Sequence, residues 1–364
     1  MSEEVSTKLG FIRETISQTE VGGVRLRGTD WFAWATGGAS NTVLLTAETG
    51  VAELLVTGQD AWVLTDEIEA QRLKDEELPS HLKLHINPWA DAAVREAFVR
   101  EATDGGKVIS DLCNDATPQE QPIPHSLQQY KRVLLPTELD RYRHVGQQAS
   151  AAMTEVLQAA QPTWTEYQLA GAGAEALWSR GLHPALTLVA GERRLPLYRH
   201  ATPTAEKIGR QAMLIFCARG YGLYANLTRF VCFGSLTDDE AELHRHVCEI
   251  EAKALSASLP GMTLDAIYYA LAQAYEQHGF PQAIREHHQG GTTGYLAREI
   301  VANPTTTDFL TENMAIAWNP SLTGAKVEDT FVILKDGKLE NLTFDPNFPS
   351  VEVEGRLRPV PLEK

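Results

Sequence analysis

The chain has 364 residues, with 32 Lys and Arg against 48 Asp and Glu for a formal net charge of −16, and 43% of its residues are hydrophobic. This composition predicts a folded protein of two domains or one large domain and argues against a disordered chain. The basic residues are scattered, so we expect neither a nucleic-acid nor a membrane partner. No apolar run reaches the about 18 residues of a membrane span, and the acidic start MSEEVSTK is unlike a signal peptide, so we expect a cytoplasmic protein.

The first part of the chain mixes short β-rich runs with a helical pattern. The runs TVLLTA, AELLVTG and AWVLTD predict strands, and EIEAQRLKDEEL predicts a charged amphipathic helix. This mixture is typical of an α/β domain. Trp31 and Trp34 precede a Gly-Gly turn and are predicted to be local core, with a pocket wall as the alternative.

A domain boundary is predicted where NDATPQEQPIPHSLQQYK brings many prolines and polar residues together. It separates residues 1–135 from residues 136–364. The second part opens with an amphipathic helix at Pro136 and contains two capping-box patterns, Thr163 to Glu166 and Thr237 to Glu240. Strands are predicted at AMLIFCA, LYANLTRFVCFG and a late hairpin that turns at Asp336-Gly337, so helices and strands are segregated as in an α+β domain.

The cysteines, Cys113, Cys217, Cys232 and Cys248, have no zinc-like spacing and are predicted to be reduced thiols. Cys217 and Cys232 lie in apolar runs and are predicted to be core residues, and a catalytic thiol is the alternative.

Candidate catalytic residues are few. His287 and His288 precede a Gly-Gly turn, His200 follows Arg199 in a polar stretch, and Glu328 opens a strand. Loop histidines and strand-end acids are most often solvated, so the residues alone support a His/Glu acid–base hypothesis and nothing more specific.

The order of these motifs resembles the methionine aminopeptidase, prolidase, aminopeptidase P and creatinase family. The resemblance covers nearly the whole chain. It implies an α+β fold in which a pita-bread catalytic domain over residues 136–364 follows a smaller creatinase-type α/β domain over residues 1–135. It also implies a homodimer.

The resemblance further implies a two-metal centre with five ligands: two aspartates on adjacent strands, one histidine and two late glutamates. The corresponding residues of this chain are Ile215, Asn226, His288, Asn319 and Glu328. Three ligands are replaced and one anionic ligand remains of four, so we predict no metal cofactor. The alternative is a weak single-metal site formed by His288, Glu328 and His200.

The creatinase branch hydrolyses a C–N bond without metal, and the resemblance therefore implies a metal-independent hydrolase of a small molecule or peptide. The predicted catalytic residues are His200, His288 and Glu328, with His200 as the acid–base residue because its imidazole has an ordinary pKa of about 6.5. Predicted substrate-binding residues are Asn226, Asn319, Tyr295 and Arg298. The alternatives are a non-catalytic binding protein, a metal-dependent Xaa-Pro peptidase and, further, a lyase.

Overall fold

The computed structural model describes residues 3–113 and 119–364, and the chain divides into two compact units, residues 1–138 and 139–364. The predicted boundary at 135/136 lies three residues before this division. The first part of the Pro-rich stretch, residues 114–118, lies outside the described residues.

The first unit is a six-stranded mixed sheet with helices. Its described elements are α1 (Glu3–Thr19), β1 (Gly23–Gly28), α2 (Thr29–Thr36), β2 (Thr49–Val56), β3 (Ala61–Asp66), α3 (Ala70–Arg72, continued by a π-helical turn at Leu73–Glu77), β4 (Lys83–Asn87), α4 (Ala92–Ala102), β5 (Val108–Ser110), β6 (Glu120–Pro122) and α5 (His125–Arg132). The strand order is β4-β3-β2-β1-β5-β6. Strands β1, β2 and β3 pair antiparallel and the outer pairs are parallel, so the predicted α/β class is confirmed.

Two local predictions in this unit have different outcomes. Trp31 and Trp34 are buried against each other edge to face, with ring centroids 5.4 Å apart, so they are core as predicted. The strand predicted at TVLLTA is wrong, because this segment is a loop whose Val43, Leu44 and Leu45 side chains are exposed.

The second unit contains two main sheets and four long helices. Its described elements are α6 (Pro136–Ala159, which starts at the end of the first unit), α7 (Glu166–Trp178), β7 (His183–Gly191), β8 (Gln211–Gly220), β9 (Leu223–Cys232), α8 (Asp238–Ala257), α9 (Leu264–Gln277), β10 (Gly290–Thr293), β11 (Ile300–Val301), β12 (Ala315–Trp318), β13 (Ser321–Leu322), β14 (Ala325–Lys326), β15 (Asp329–Ile333), β16 (Leu339–Asn341), β17 (Ser350–Val353), β18 (Arg356–Pro359) and β19 (Leu362–Glu363), with 3-10 turns at Ala283–Arg285 and Lys335–Gly337. The sheets have the orders β19-β9-β8-β7 and β11-β10-β12-β15-β16. This arrangement is α+β, as predicted.

Strand β8 is buried along its whole length, and its successive side chains lie on opposite faces of the sheet. Leu214 and Phe216 pack into the apolar cluster that includes residues of α6 and α7. Met213 and Ile215 belong to a separate cluster. Because Ile215 pairs with Thr228 and Cys217 pairs with Asn226 across β8 and β9, these four side chains share the face turned away from α6 and α7.

One predicted capping box is displaced. Helix α7 is capped by Thr165 and Gln168 instead of Thr163 and Glu166, because the buried Glu166 carboxylate accepts hydrogen bonds elsewhere, including one of 2.8 Å from the Gly191 N–H. The box at Thr237 and Glu240 is confirmed at the start of α8.

The predicted turn at Asp336-Gly337 joins β15 to β16, and both residues have positive φ. No helix in the described ranges is long and apolar enough to cross a bilayer.

Candidate active site

The candidate site lies where the two sheets of the second unit meet. Thr228 of β9 and Glu328, just before β15, form an isolated antiparallel bridge, in which the Thr228 N–H donates to the Glu328 carbonyl at 3.0 Å. The Thr228 hydroxyl also donates to the Glu328 carboxylate at 3.1 Å. Glu328 is only 3% exposed, so this bridge fixes a carboxylate inside the protein.

Two cations lie beside that carboxylate. Arg298 donates a hydrogen bond to Glu328 Oε1, and Lys326 Nζ lies 3.9 Å from Glu328 Oε2. Burial alone would raise the pKa of Glu328, but the charges of Lys326 and Arg298 outweigh burial and hold that pKa below its usual value. Glu328 is therefore ionised at neutral pH and paired within the protein.

Sequence reasoning missed Lys326. Its side chain is buried, and burial lowers the pKa of its ammonium while Glu328 opposes that shift. A signal was present, because residues two apart in an extended segment face the same side, and Lys326 stands two positions before Glu328 with only Val327 between them.

The replaced positions offer little negative charge. Ile215 provides only an alkyl side chain, which packs into an apolar cluster. Asn226 Nδ2 donates to Thr293 Oγ1 at 2.9 Å, and Asn319 is likewise buried. Within residues 3–113 and 119–364, the side-chain oxygens of Asn226 and Asn319 are buried and have no hydrogen-bond partner. They are neutral acceptors ready for a donor on a ligand.

Three histidines lie close together in this unit. His200 Nε2 is 2.7 Å from His287 Nε2, and the rings of His287 and His288 stack with centroids 4.3 Å apart. Gln289 holds the loop, because its buried amide donates to the His287 carbonyl at 2.6 Å and accepts from the Tyr275 hydroxyl at 2.9 Å. These two hydrogen bonds hold the backbone that carries His287 in place.

The glycine turn that follows is required by close packing. Gly290 has φ 97°, and a Cβ there would lie 2.1 Å from the Ala317 carbonyl oxygen on β12. Only glycine allows β10 to run this close to its neighbour directly after the histidines.

The three imidazoles share one electrostatic setting. Burial, and then the charge of Lys326, lower the pKa of both His200 and His287. Burial, and then the charges of Arg298 and Lys326, lower the pKa of His288 to about 4. All three rings are therefore neutral at pH 7, and each has one ring nitrogen with a lone pair that can bind a proton or a metal.

The remaining predicted residues occupy different environments. Tyr295 is completely buried, and its role as a donor to substrate stays a prediction. Arg298 binds the protein's own Glu328, so its predicted contact with a substrate carboxylate also stays a prediction. Cys217 is buried, and burial raises the pKa of its thiol to about 12, which keeps it protonated and unreactive.

A buried charge network lies behind the site. Asp329 pairs with Arg229 at 2.6 Å and with Arg358 at 2.8 Å, and Arg358 donates to both oxygens of Glu251 at 2.6 and 2.8 Å. All four residues are at most 4% exposed. Since Asp329 follows Glu328 directly, the network fixes the backbone that carries the site carboxylate.

Comparison with known families agrees with this architecture. Residues 140–335, more than half of the chain, match the model of metallopeptidase family M24. The chain belongs to this family. The resemblance to prolidases, aminopeptidase P and creatinase is thereby confirmed, together with the predicted pita-bread domain and its smaller N-terminal partner. No curated protein has a matching sequence.

Solved structures show the same fold at low sequence identity. An Xaa-Pro dipeptidase from Bacillus anthracis is 17% identical with a TM-score of 0.77, over 94% of this chain and 98% of its own. An X-Pro aminopeptidase from Thermotoga maritima is 16% identical with a TM-score of 0.77, over 93% and 98%. The N-terminal domain of the FACT complex subunit SPT16 from Cicer arietinum is 13% identical with a TM-score of 0.69, over 94% and 96%. The M24 chain thus has a fold found in peptidases and in a FACT subunit.

Proposed function

We propose that this M24 chain hydrolyses a C–N bond in a small molecule or peptide without a two-metal centre. The observation that carries the proposal is the pairing of Glu328 with Lys326 and Arg298. Glu328 is the only carboxylate among the five positions that correspond to family ligands, and two internal cations already neutralise it. Repulsion between unit charges about 4 Å apart costs about 4 kcal/mol near a protein surface, and divalent ions would meet more. The residues present do not fit two such ions.

The charges in the site suit hydrolysis by the chain's own groups. Lys326 and Arg298 are fixed positive charges that would stabilise an oxyanion as it forms. The free amide oxygens of Asn226 and Asn319 would accept hydrogen bonds from substrate N–H groups.

The proton transfers fall to His200, with His288 as a second donor. Water attacks the carbon of the C–N bond and gives a proton to the neutral His200 imidazole. The imidazole returns this proton to the leaving nitrogen as the C–N bond breaks. Atoms and charge balance without a further reactant.

The test uses protein freed of metal with chelator and checked by elemental analysis. Release of amine is measured from a panel of Xaa-Pro dipeptides, amides and guanidino acids. Turnover should survive chelation, and His200→Ala should lower kcat by about 10²–10⁴-fold with an unchanged Tm. The control His144→Ala removes an exposed histidine outside the site and should leave the rate unchanged. Activity that chelator abolishes and manganese, cobalt or zinc restores would overturn the proposal.

A second candidate is a non-catalytic binding protein. The unpaired amide oxygens of Asn226 and Asn319 favour it, because buried acceptors can hold a ligand without reacting with it. Calorimetric binding of a panel compound that is never turned over, and whose binding is lost in Asn226→Leu, would favour this candidate over the hydrolase.

We also propose that the chain is a cytoplasmic homodimer with no nucleic-acid or membrane partner. The net charge of −16 supports the lack of anionic partners. Light scattering at micromolar concentration tests the dimer, and a monomer would refute it.

A further inference from the structure

The three histidines have the geometry of a ligand set. Each offers one ring nitrogen, and these nitrogens all lie within 4.8 Å of one another. Ring centroids are 4.6 Å apart for His200 and His287 and 5.7 Å apart for His200 and His288. In a tetrahedral zinc site the metal–nitrogen distance is about 2.0–2.1 Å, so ligand nitrogens are separated by about 3.4 Å. Metal binding would therefore require the three nitrogens to approach one another from their present separations of up to 4.8 Å.

The ligand type selects the metal. Neutral imidazoles favour zinc, cobalt, nickel and copper over magnesium or calcium, which prefer oxygen. His200 and His288 are exposed, so solvent can supply a fourth ligand. Glu328 does not belong to this set, because Arg298, Thr228 and Lys326 surround its oxygens. The cluster therefore shares only His288 with the five positions that correspond to family ligands, and its other two members, His200 and His287, lie outside them.

We propose that His200, His287 and His288 bind one zinc-type metal ion, and that the bound ion inhibits the enzyme. Coordination takes the lone pair with which His200 would accept a proton from water. The inhibitory part rests on the proposed hydrolase function, whereas metal binding does not. A metal of this class would thus switch off a site that works without it.

A second His/Glu cluster provides an internal control. His246, Glu249 and His278 also present nitrogens and an oxygen within 4.8 Å. There, however, Arg245 donates to both Glu249 oxygens at 2.7 and 2.8 Å and lies 3.0 Å from His246 Nε2. The Arg245 guanidinium already occupies the Glu249 oxygens and His246 Nε2, so this cluster should not bind the ion.

Binding is tested with Co²⁺, whose visible absorption reports tetrahedral coordination, on metal-free full-length protein. We expect one Co²⁺ per chain, displaced by Zn²⁺. Loss of a residue that only supports a metal ligand typically weakens metal binding by about 10–100-fold. His287→Ala should weaken Co²⁺ binding by more than this, because it removes a ligand. His278→Ala, in the control cluster, should bind like the wild type.

Inhibition is tested by the ratio of rates with and without Zn²⁺, measured for each variant against its own metal-free rate. In the wild type we expect Zn²⁺ to lower the rate by at least about tenfold, which corresponds to a free-energy difference of about 1.4 kcal/mol. In His287→Ala we expect this inhibition to be lost. Absence of the cobalt band, or an unchanged band in His287→Ala, overturns metal binding whatever the activity. A band accompanied by a rate that rises with Zn²⁺ overturns the inhibition and the metal-independent hydrolase together, while the binding site stands.

Discussion

Replacing Glu328 by Gln should destabilise the second unit by leaving two cations without their anion. The Lys326 and Arg298 side chains are only 5% and 15% exposed, so water cannot take over the role of the carboxylate. Breaking a buried pair by removing one partner typically costs about 3–5 kcal/mol. We expect Glu328→Gln to lose that much free energy of unfolding.

The magnitude has a specific source in the structure. Lys326 Nζ lies 3.9 Å from Glu328 Oε2, a separation at which the attraction is worth about 4 kcal/mol at an effective dielectric constant of 20. The double variant Glu328→Gln/Lys326→Met removes the unpaired ammonium together with the carboxylate. It should regain at least about 2 kcal/mol relative to Glu328→Gln, within the range measured for residues in direct contact.

The assay is urea-induced unfolding of the four proteins of this double-mutant cycle. The control is Glu354→Gln, which breaks another Lys–Glu pair, that of Lys253 and Glu354, with side chains 45% and 38% exposed. The control should cost less than about 1 kcal/mol, because water screens an exposed pair. A Glu328→Gln variant as stable as the wild type, or a double variant no more stable than the single one, would refute the assignment of Lys326 as the counterion.

Two further predictions concern stability. His244 is buried against Phe230, and burial lowers its pKa to about 4. The unfolded chain, in which this pKa is about 6.5, therefore binds more protons below pH 6.5 than the folded chain does. The free energy of unfolding should consequently fall by about 2–3 kcal/mol between pH 7 and pH 4.5. Urea unfolding at both pH values should show a smaller fall in His244→Phe, and an identical fall would contradict the role of this ring. Arg358→Met should cost about 3–5 kcal/mol of unfolding free energy, because it leaves Glu251 and Asp329 buried with one cation fewer. The control Arg143→Met breaks the half-exposed pair with Glu340 and should cost less than about 1 kcal/mol. Equal losses in the two arginine variants would show that burial does not set the strength of these pairs.

Much of the fold was accessible from the sequence because its local signals agree with its tertiary packing. The Thr237 capping box and the Asp336-Gly337 turn are local features that need no knowledge of distant residues. The predicted strand at residues 42–47 failed because a strand needs a partner, and apolar content alone does not supply one. The predicted cap at Thr163 failed because Glu166 is used by groups distant in sequence, including Gly191 and Arg194.

The candidate site shows the same division. The positions of His288 and Glu328 followed from motifs that resemble a family, since those motifs are continuous in sequence. The pairing of Arg298 with Glu328 depends on a 30-residue separation that only folding closes. The contact between His200 and His287 spans 87 residues, and no spacing rule predicts it.

In two neighbouring segments, a residue that faces the site is followed directly by a residue of the buried charge network. Thr228 and Glu328 present side chains to the site, while their neighbours Arg229 and Asp329 form a buried ion pair. Separating the strands at the site would break that pair, so local opening there should be as rare as unfolding of the whole unit. The floor of the site should therefore stay rigid when a substrate binds, whereas the exposed side chains of His200 and His288 have more freedom to adjust. Selectivity in this protein should accordingly arise from exclusion by shape and not from closure around the bound molecule.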